Sequence, residues 1–100
     1  MCALAKIMRC TVIGAGVSGL SCAIRLLESG HQVEVVSDKY SPDTVSDVAA
    51  AIWYPFLAAP VDKADRWGLE TYAELERFVK EVPEAGVTMR DGREYLRNVV

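Results

Sequence analysis

The stretch TVIGAGVSG at residues 11–19 decides the fold, because it sets three glycines between a short apolar run and a helical pattern. Gly14, Gly16 and Gly19 have the GxGxxG spacing of dinucleotide-binding turns. In such turns the first glycine makes the tight turn, the second lets the backbone approach a pyrophosphate, and the third lets the helix pack on the sheet. The N–H groups of residues 15–18 then open a helix and form an anion-binding site.

The segments around this turn complete a strand–helix–strand unit. Residues 8–13 predict a strand, and apolar residues at helical spacing over residues 20–27 predict a helix that ends at Gly30. Residues 33–36 predict a second buried strand. Asp38 follows, 24 residues after the first glycine of the turn, where an acidic residue can accept hydrogen bonds from ribose hydroxyls. A carboxylate there would repel a 2′-phosphate, so NADP is disfavoured.

The predicted fold class is α/β, with a Rossmann-like βαβ unit in an incomplete parallel sheet, followed by a helix and a short hairpin. Nothing after Val36 predicts a third parallel strand, so we expect the first strand to have an unpaired edge. The helix follows from an apolar stripe over residues 64–82, with Asp62 as N-cap and Pro83 beyond its end. The hairpin is predicted around residues 91–92, Asp-Gly.

Composition limits the function classes. One hundred residues suffice for one small domain, and the net charge of −3 provides no basic field for nucleic acid. The apolar run over residues 8–27 contains three glycines and two arginines, so it predicts a strand, a turn and a helix rather than a membrane segment. Cys2, Cys10 and Cys22 lack metal-ligand spacing and predict reduced thiols in a cytoplasmic protein. The sequence leaves the oligomeric state open.

Residues 47–56 form an unusually apolar connection, DVAAAIWYPF. Loops usually face water, so this one must be covered by more protein or by a flat ligand. Ordinary core packing and a cofactor wall both remain open on the pattern alone.

Residues 38–44, DKYSPDT, and residues 46–55, SDVAAAIWYP, resemble the D-amino-acid oxidase family. Members have an acidic, a basic and an aromatic residue after the second strand, then a turn with proline and hydroxyl residues. Asp-Val-Ala-Ala follows, then a small residue, an aliphatic residue and Trp. The glycine turn is similar too, although many flavin enzymes share it. The resemblance covers nearly the whole chain, more weakly after Ala59.

The resemblance implies FAD as the cofactor rather than NAD. It places the FAD pyrophosphate on the glycine turn, the adenosine ribose on Asp38, and Lys39 near the adenine-side phosphate. Thr44, Val45 and Ser46 would line the path of the phosphates and ribitol. Val45 departs from the hydroxyl residues usual in the family and has no hydroxyl to offer the cofactor.

The resemblance also places Ala50, Ala51 and Ile52 against the isoalloxazine and Tyr54 on the substrate side, as a weaker candidate contact. Many members have glycine where Ala51 stands, so the approach to the ring would be slightly looser here. The implied cofactor-binding residues are Gly14, Ala15, Gly16, Val17, Ser18, Gly19, Asp38, Lys39, Thr44, Val45, Ser46, Ala50, Ala51 and Ile52.

The implied activity is oxidation of a D-amino acid to a 2-oxo acid and ammonia, with oxygen reduced to hydrogen peroxide. The family's substrate-holding arginine and tyrosine lie in a later part that residues 1–100 lack, so no catalytic residue is predicted. The chain is expected to be the N-terminal part of an FAD-binding domain, cytoplasmic, or peroxisomal if the source is eukaryotic. Two alternatives stay open: an NAD-binding domain of a dehydrogenase, and a short product without catalysis.

Overall fold

The computed structural model describes residues 6–98 and divides into two units, one that ends at Ala51 and one that begins at Ile52. The elements of the first unit are β1 (Arg9–Ile13), α1 (Val17–Glu28), β2 (Gln32–Val36) and α2 (Val45–Val48). The second unit contains α3 (Val61–Glu81), which is followed by one 3-10 turn at Pro83–Ala85. Within the described range, every helix is too short or too polar to span a membrane.

The first unit is the predicted strand–helix–strand arrangement. Strands β1 and β2 pair in parallel, from Arg9 opposite Gln32 to Ile13 opposite Val36. Over residues 6–98 the sheet has only these two strands, so the second edge of β1 is unpaired, as predicted. The α/β class and the incomplete parallel sheet are therefore confirmed.

The core of this unit lies between one face of the sheet and α1. Alternate strand residues are half-buried, among them Val12 in β1 and Val35 in β2, because successive side chains point to opposite faces. Ala23 of α1 is buried at 5% exposure, and its small side chain allows the helix to lie close to the strands. The opposite face has no cover within the described residues, and Ile13 is 87% exposed.

Helix α3 begins two residues earlier than predicted. Pro60 is the N-cap, and its carbonyl accepts the first helical hydrogen bond from the N–H of Ala64 at 2.9 Å. The prediction of Asp62 as N-cap is therefore wrong: Asp62 lies inside the first turn, where a carboxylate interacts favourably with the helix dipole. The proline, extended at φ −67° and ψ 144°, sets the boundary instead.

The predicted hairpin around Asp91 and Gly92 is wrong. Residues 86–98 contain no strand, and Tyr95 in that segment is 87% exposed. An isolated two-stranded hairpin is marginal in water unless an apolar face packs on a third strand or a helix. The described part of the chain offers the Asp-Gly turn signal but no such packing surface.

Candidate dinucleotide-binding site

The glycine turn connects β1 to α1 at the carboxyl edge of the sheet. Gly14 has φ +113°, a conformation that side chains with a Cβ rarely adopt, and its N–H donates to the carbonyl of Val36 at 2.8 Å. A Cβ at Gly19 would overlap the carbonyl oxygen of Gly14. The first and third glycines thus let the turn bend sharply and the first helical turn lie directly against it, as their spacing predicts.

The N-terminus of α1 is capped by a residue from another segment. Gly16 is the N-cap and has no side chain for this purpose. The hydroxyl oxygen of Ser46 instead accepts the N–H of Val17 at 3.0 Å. A Cβ at Gly16 would lie 2.8 Å from this oxygen, so the second glycine makes room for the serine. One of the helix's unpaired N–H groups is thereby satisfied, while those after it are available to an anion.

The segment that carries Ser46 is held by one carboxylate. Thr44 is the N-cap of α2, and Asp47 completes a reciprocal capping box with it. Asp47 Oδ2 accepts from the Thr44 hydroxyl at 2.6 Å and from the Thr44 N–H at 3.1 Å. Its other oxygen, Oδ1, accepts from the Ser41 hydroxyl at 2.8 Å. The hydrogen bonds from Thr44 and then Ser41 lower the pKa of Asp47, because they stabilise its ionised form.

These elements enclose a small open cavity of about 200 Å³. Its lining combines the turn residues 15–17 with Ser41, Thr44, Ser46 and Asp47. The structure therefore brings together predicted positions from two separate stretches, the glycine turn and the hydroxyl-bearing loop. Thr44 is the one buried polar residue of the described range, at 9% exposure.

Asp38 and Lys39 lie just beyond β2, on the edge of the sheet from which the glycine turn also emerges. Both residues are exposed. The Tyr40 side chain binds the backbone at the end of β2. Its hydroxyl accepts the N–H of Ser37 at 3.2 Å and donates to the carbonyl of Val35 at 3.3 Å. Asp38 thus lies at the carboxyl end of the strands, where ligands of open α/β sheets bind.

The remaining predicted positions do not join this cavity. Val45 is 83% exposed, and Ala50 and Ala51 lie exposed in the irregular segment after α2. Ile52, at 87% exposure, and Tyr54 belong to the second unit. Their predicted roles beside a flavin and a substrate stay predictions.

Two aromatic residues of the second unit, Trp53 and Tyr54, each donate a hydrogen bond through the polar group of the side chain. The indole N–H of Trp53 donates to the carbonyl of Gly68 at 3.0 Å, and its ring meets that of Tyr72 edge-on at 5.0 Å. The Tyr54 hydroxyl donates to the Glu94 carboxylate at 2.8 Å, and this bond together with the negative charge raises the pKa of Tyr54.

The apolar segment of residues 47–56 was predicted to be covered either by ordinary core packing or by a flat ligand. Ile52 is 87% exposed and Phe56 is 69% exposed, whereas Trp53 contacts Gly68 and Tyr72 of α3, so the described residues cover this stretch only at Trp53. Covering by a flat ligand stays a prediction.

Sequence reasoning missed Asp47 as an organising residue and α2 as an element. The signal was present in Thr44 followed three residues later by a carboxylate, the spacing of a capping box. The signal is weak here because the residue is aspartate rather than the usual glutamate or glutamine, and because the helix has only one turn. A trans cap such as Ser46 on α1 has no spacing rule and needs the tertiary structure.

The fold and the turn together define a Rossmann-like α/β protein. The family model described as FAD dependent oxidoreductase matches residues 9–98, and the chain belongs to this family. No solved structure matches the chain significantly.

Several curated proteins are similar over most of the chain. A D-amino-acid oxidase of Rubrobacter xylanophilus is 43% identical over 91 residues, covering 91% of this chain and 28% of that protein. A D-amino-acid oxidase of Dictyostelium discoideum is 35% identical, covering 86% of this chain and 25% of that protein. The human D-aspartate oxidase is 38% identical, covering 84% and 26%. The chain thus spans about a quarter of the length of the curated relatives it matches.

Proposed function

We propose that this chain is the N-terminal, FAD-binding portion of a flavin-dependent D-amino-acid oxidase. One observation carries the proposal: a helix N-terminus behind a glycine turn, at the carboxyl edge of parallel strands, in a chain of the FAD-dependent oxidoreductase family. The names of the similar proteins support the substrate class. The family match gives the dehydrogenase alternative no comparable support.

The proposed diphosphate site is the turn of residues 14–19. Glycine at its first and third positions removes the side chains that would block the turn and the helix, which leaves backbone amides as the groups nearest a ligand. Asp38 would accept hydrogen bonds from the adenosine ribose, and Lys39 would offset phosphate charge. Thr44 and Ser46 share the cavity with the turn and would follow the phosphates and ribitol, while Ala50 and Ala51 would present small side chains toward the flavin.

Bound FAD would supply the redox chemistry, which is oxidation of a D-amino acid to an imino acid with oxygen reduced to hydrogen peroxide. Water would then hydrolyse the imino acid to a 2-oxo acid and ammonia. The proposed work of this chain is to bind and orient the cofactor. Tyr54 would have to exchange its hydrogen bond to Glu94 for any contact with substrate.

The proposed partners are therefore a D-amino acid and oxygen, and the proposed location is the cytoplasm, or the peroxisome in a eukaryote. Nucleic acid and membrane are not proposed as partners.

The test uses the complete protein, meaning the whole product of the reading frame that contains this chain. We expect it to purify yellow and to release FAD rather than FMN when denatured. We expect peroxide with one or more of D-alanine, D-aspartate and glycine, and none with L-alanine or L-aspartate. A colourless protein that binds NADH would overturn the proposal. The chain of 100 residues alone should retain FAD weakly and show no turnover, because enclosure supplies most of a ligand's affinity.

A further inference from the structure

The Asp47 carboxylate accepts several hydrogen bonds that the glycine motif does not explain. It accepts two hydrogen bonds from Thr44 and one from Ser41, and the Thr44 hydroxyl lies within reach of the Asp47 N–H at 3.3 Å. These contacts tie together a segment of seven residues, 41–47, from both of its ends.

The segment has little else to hold its shape. Helix α2 has only four residues, too few to be stable alone, and Val45 and Val48 are 83% and 82% exposed. Apolar packing therefore adds little here, and the capping box sets the conformation. Removing one oxygen acceptor from residue 47 would leave either Thr44 or Ser41 without its partner.

Ser46 directly precedes this carboxylate and reaches the other half of the site. Its oxygen accepts the N–H of Val17 at 3.0 Å and lies 2.8 Å from the position that a Cβ of Gly16 would occupy. The position of this hydroxyl depends on the backbone of α2, which Asp47 fixes through Thr44. The contacts thus form a chain from Asp47 through Thr44 and Ser46 to the first amide of α1.

Asp47 is poorly suited to touch the cofactor itself. It lines the cavity, yet a carboxylate beside a diphosphate is repulsive, and both of its oxygens already accept hydrogen bonds. An effect of Asp47 on the site must pass through the residues it holds.

We propose that Asp47 is a positioning residue of the dinucleotide site, which fixes the loop 41–47 so that the Ser46 hydroxyl caps α1 before the cofactor binds. This inference rests on the proposed function, since it assumes that the glycine turn holds the FAD diphosphate. Without the carboxylate, the loop would have to be ordered at the expense of binding free energy.

The test measures the FAD affinity of the complete protein. The protein is freed of flavin and titrated with FAD, and binding is followed by fluorescence. Asp47→Asn keeps the size of the side chain but supplies one acceptor oxygen in place of two. We expect its Kd for FAD to rise roughly fivefold to tenfold, the scale of a lost helix cap. Asp47→Glu retains both oxygens in the usual capping-box spacing and should recover most of the affinity.

Asp43→Asn is the matched control, because it removes the same charge from the same exposed loop without touching the capping box. It should leave the Kd unchanged or slightly lower, since a negative charge near the diphosphate is lost. Equal Kd values for the Asp47→Asn and Asp43→Asn variants would overturn the inference while leaving the proposed function intact. Failure of the unaltered protein to bind FAD would instead overturn the proposed function.

A double variant tests whether Asp47 affects FAD binding through Ser46. If Asp47 acts through Ser46, the double variant Asp47→Asn with Ser46→Ala should bind no more weakly than the weaker single variant. Fully additive losses would contradict this route. Should Asp47→Asn fail to fold, Ser41→Ala removes one donor to the same carboxylate, and we then expect a twofold to threefold rise in Kd, roughly half a lost cap; an unchanged Kd would overturn the inference.

Discussion

Alanine at Gly19 should loosen α1, although alanine is the better helix former. Replacing glycine by alanine within a helix ordinarily stabilises it by about 1 kcal/mol. At this position the added methyl group would overlap the carbonyl oxygen of Gly14. That oxygen belongs to the backbone and cannot rotate away. We therefore take the destabilisation at the upper end of the range for overpacked substitutions, about 3 kcal/mol. The net loss of local stability is about 2 kcal/mol.

Gly68→Ala provides the matched control. Gly68 lies inside α3, and a Cβ there would be 3.6 Å from Trp53 Cζ2, an ordinary van der Waals distance. The same substitution should therefore stabilise α3 by about 1 kcal/mol.

Hydrogen exchange followed by mass spectrometry resolves the two helices, so it reports each unit separately. Because 1.4 kcal/mol corresponds to a factor of ten, we expect amides of α1 to exchange about 30-fold faster in Gly19→Ala. Amides of α3 should exchange about fivefold more slowly in Gly68→Ala. Protection of α1 that is unchanged or increased in Gly19→Ala would refute the close approach of helix and turn.

Three further predictions concern single side chains. Asp38→Ala in the complete protein should raise the Kd for FAD about tenfold and leave FMN, which lacks the adenosine, unaffected in parallel titrations. The raised pKa of Tyr54 means that its bond to Glu94 stabilises the second unit below pH 10 or so and is lost as pH rises through the folded-state pKa. Absorbance of tyrosinate should show this late titration, and the titration should return to the ordinary range in Glu94→Ala, which removes both the acceptor and the charge. Arg77→Met should lower the melting temperature by no more than about 5 °C, because its two ion pairs, with Glu74 and Glu81, are partly exposed; a larger fall contradicts this.

The strand–helix–strand unit could be predicted because its determinants are local. The glycine spacing fixes the turn, and the apolar periods on either side fix the helix and the strands, as the parallel pairing of β1 and β2 confirms. The hairpin at Asp91 and Gly92 failed for the opposite reason. A turn signal states where a chain can reverse, whereas strands also need a surface to pack on.

The candidate site divides in the same way. The residues of the glycine turn follow from sequence spacing, and Asp38 follows from its distance along the chain. The trans cap of Ser46 on Val17 spans 29 residues and depends on how the loop returns to the turn. No short-range pattern encodes such a return, so the sequence could reveal the capping box of Thr44 and Asp47 but not the contact of Ser46 with Val17.

The open side of β1 has a practical consequence for anyone who handles this polypeptide by itself. Backbone donors and acceptors face outward along this edge next to Ile13, and Arg9 is the one charged residue of β1 that opposes pairing with another chain. Two copies can satisfy that row by aligning side by side, and the process can repeat. We expect the isolated polypeptide to form larger assemblies as its concentration rises, at a rate that a lysine in place of Thr11 on the same margin would slow.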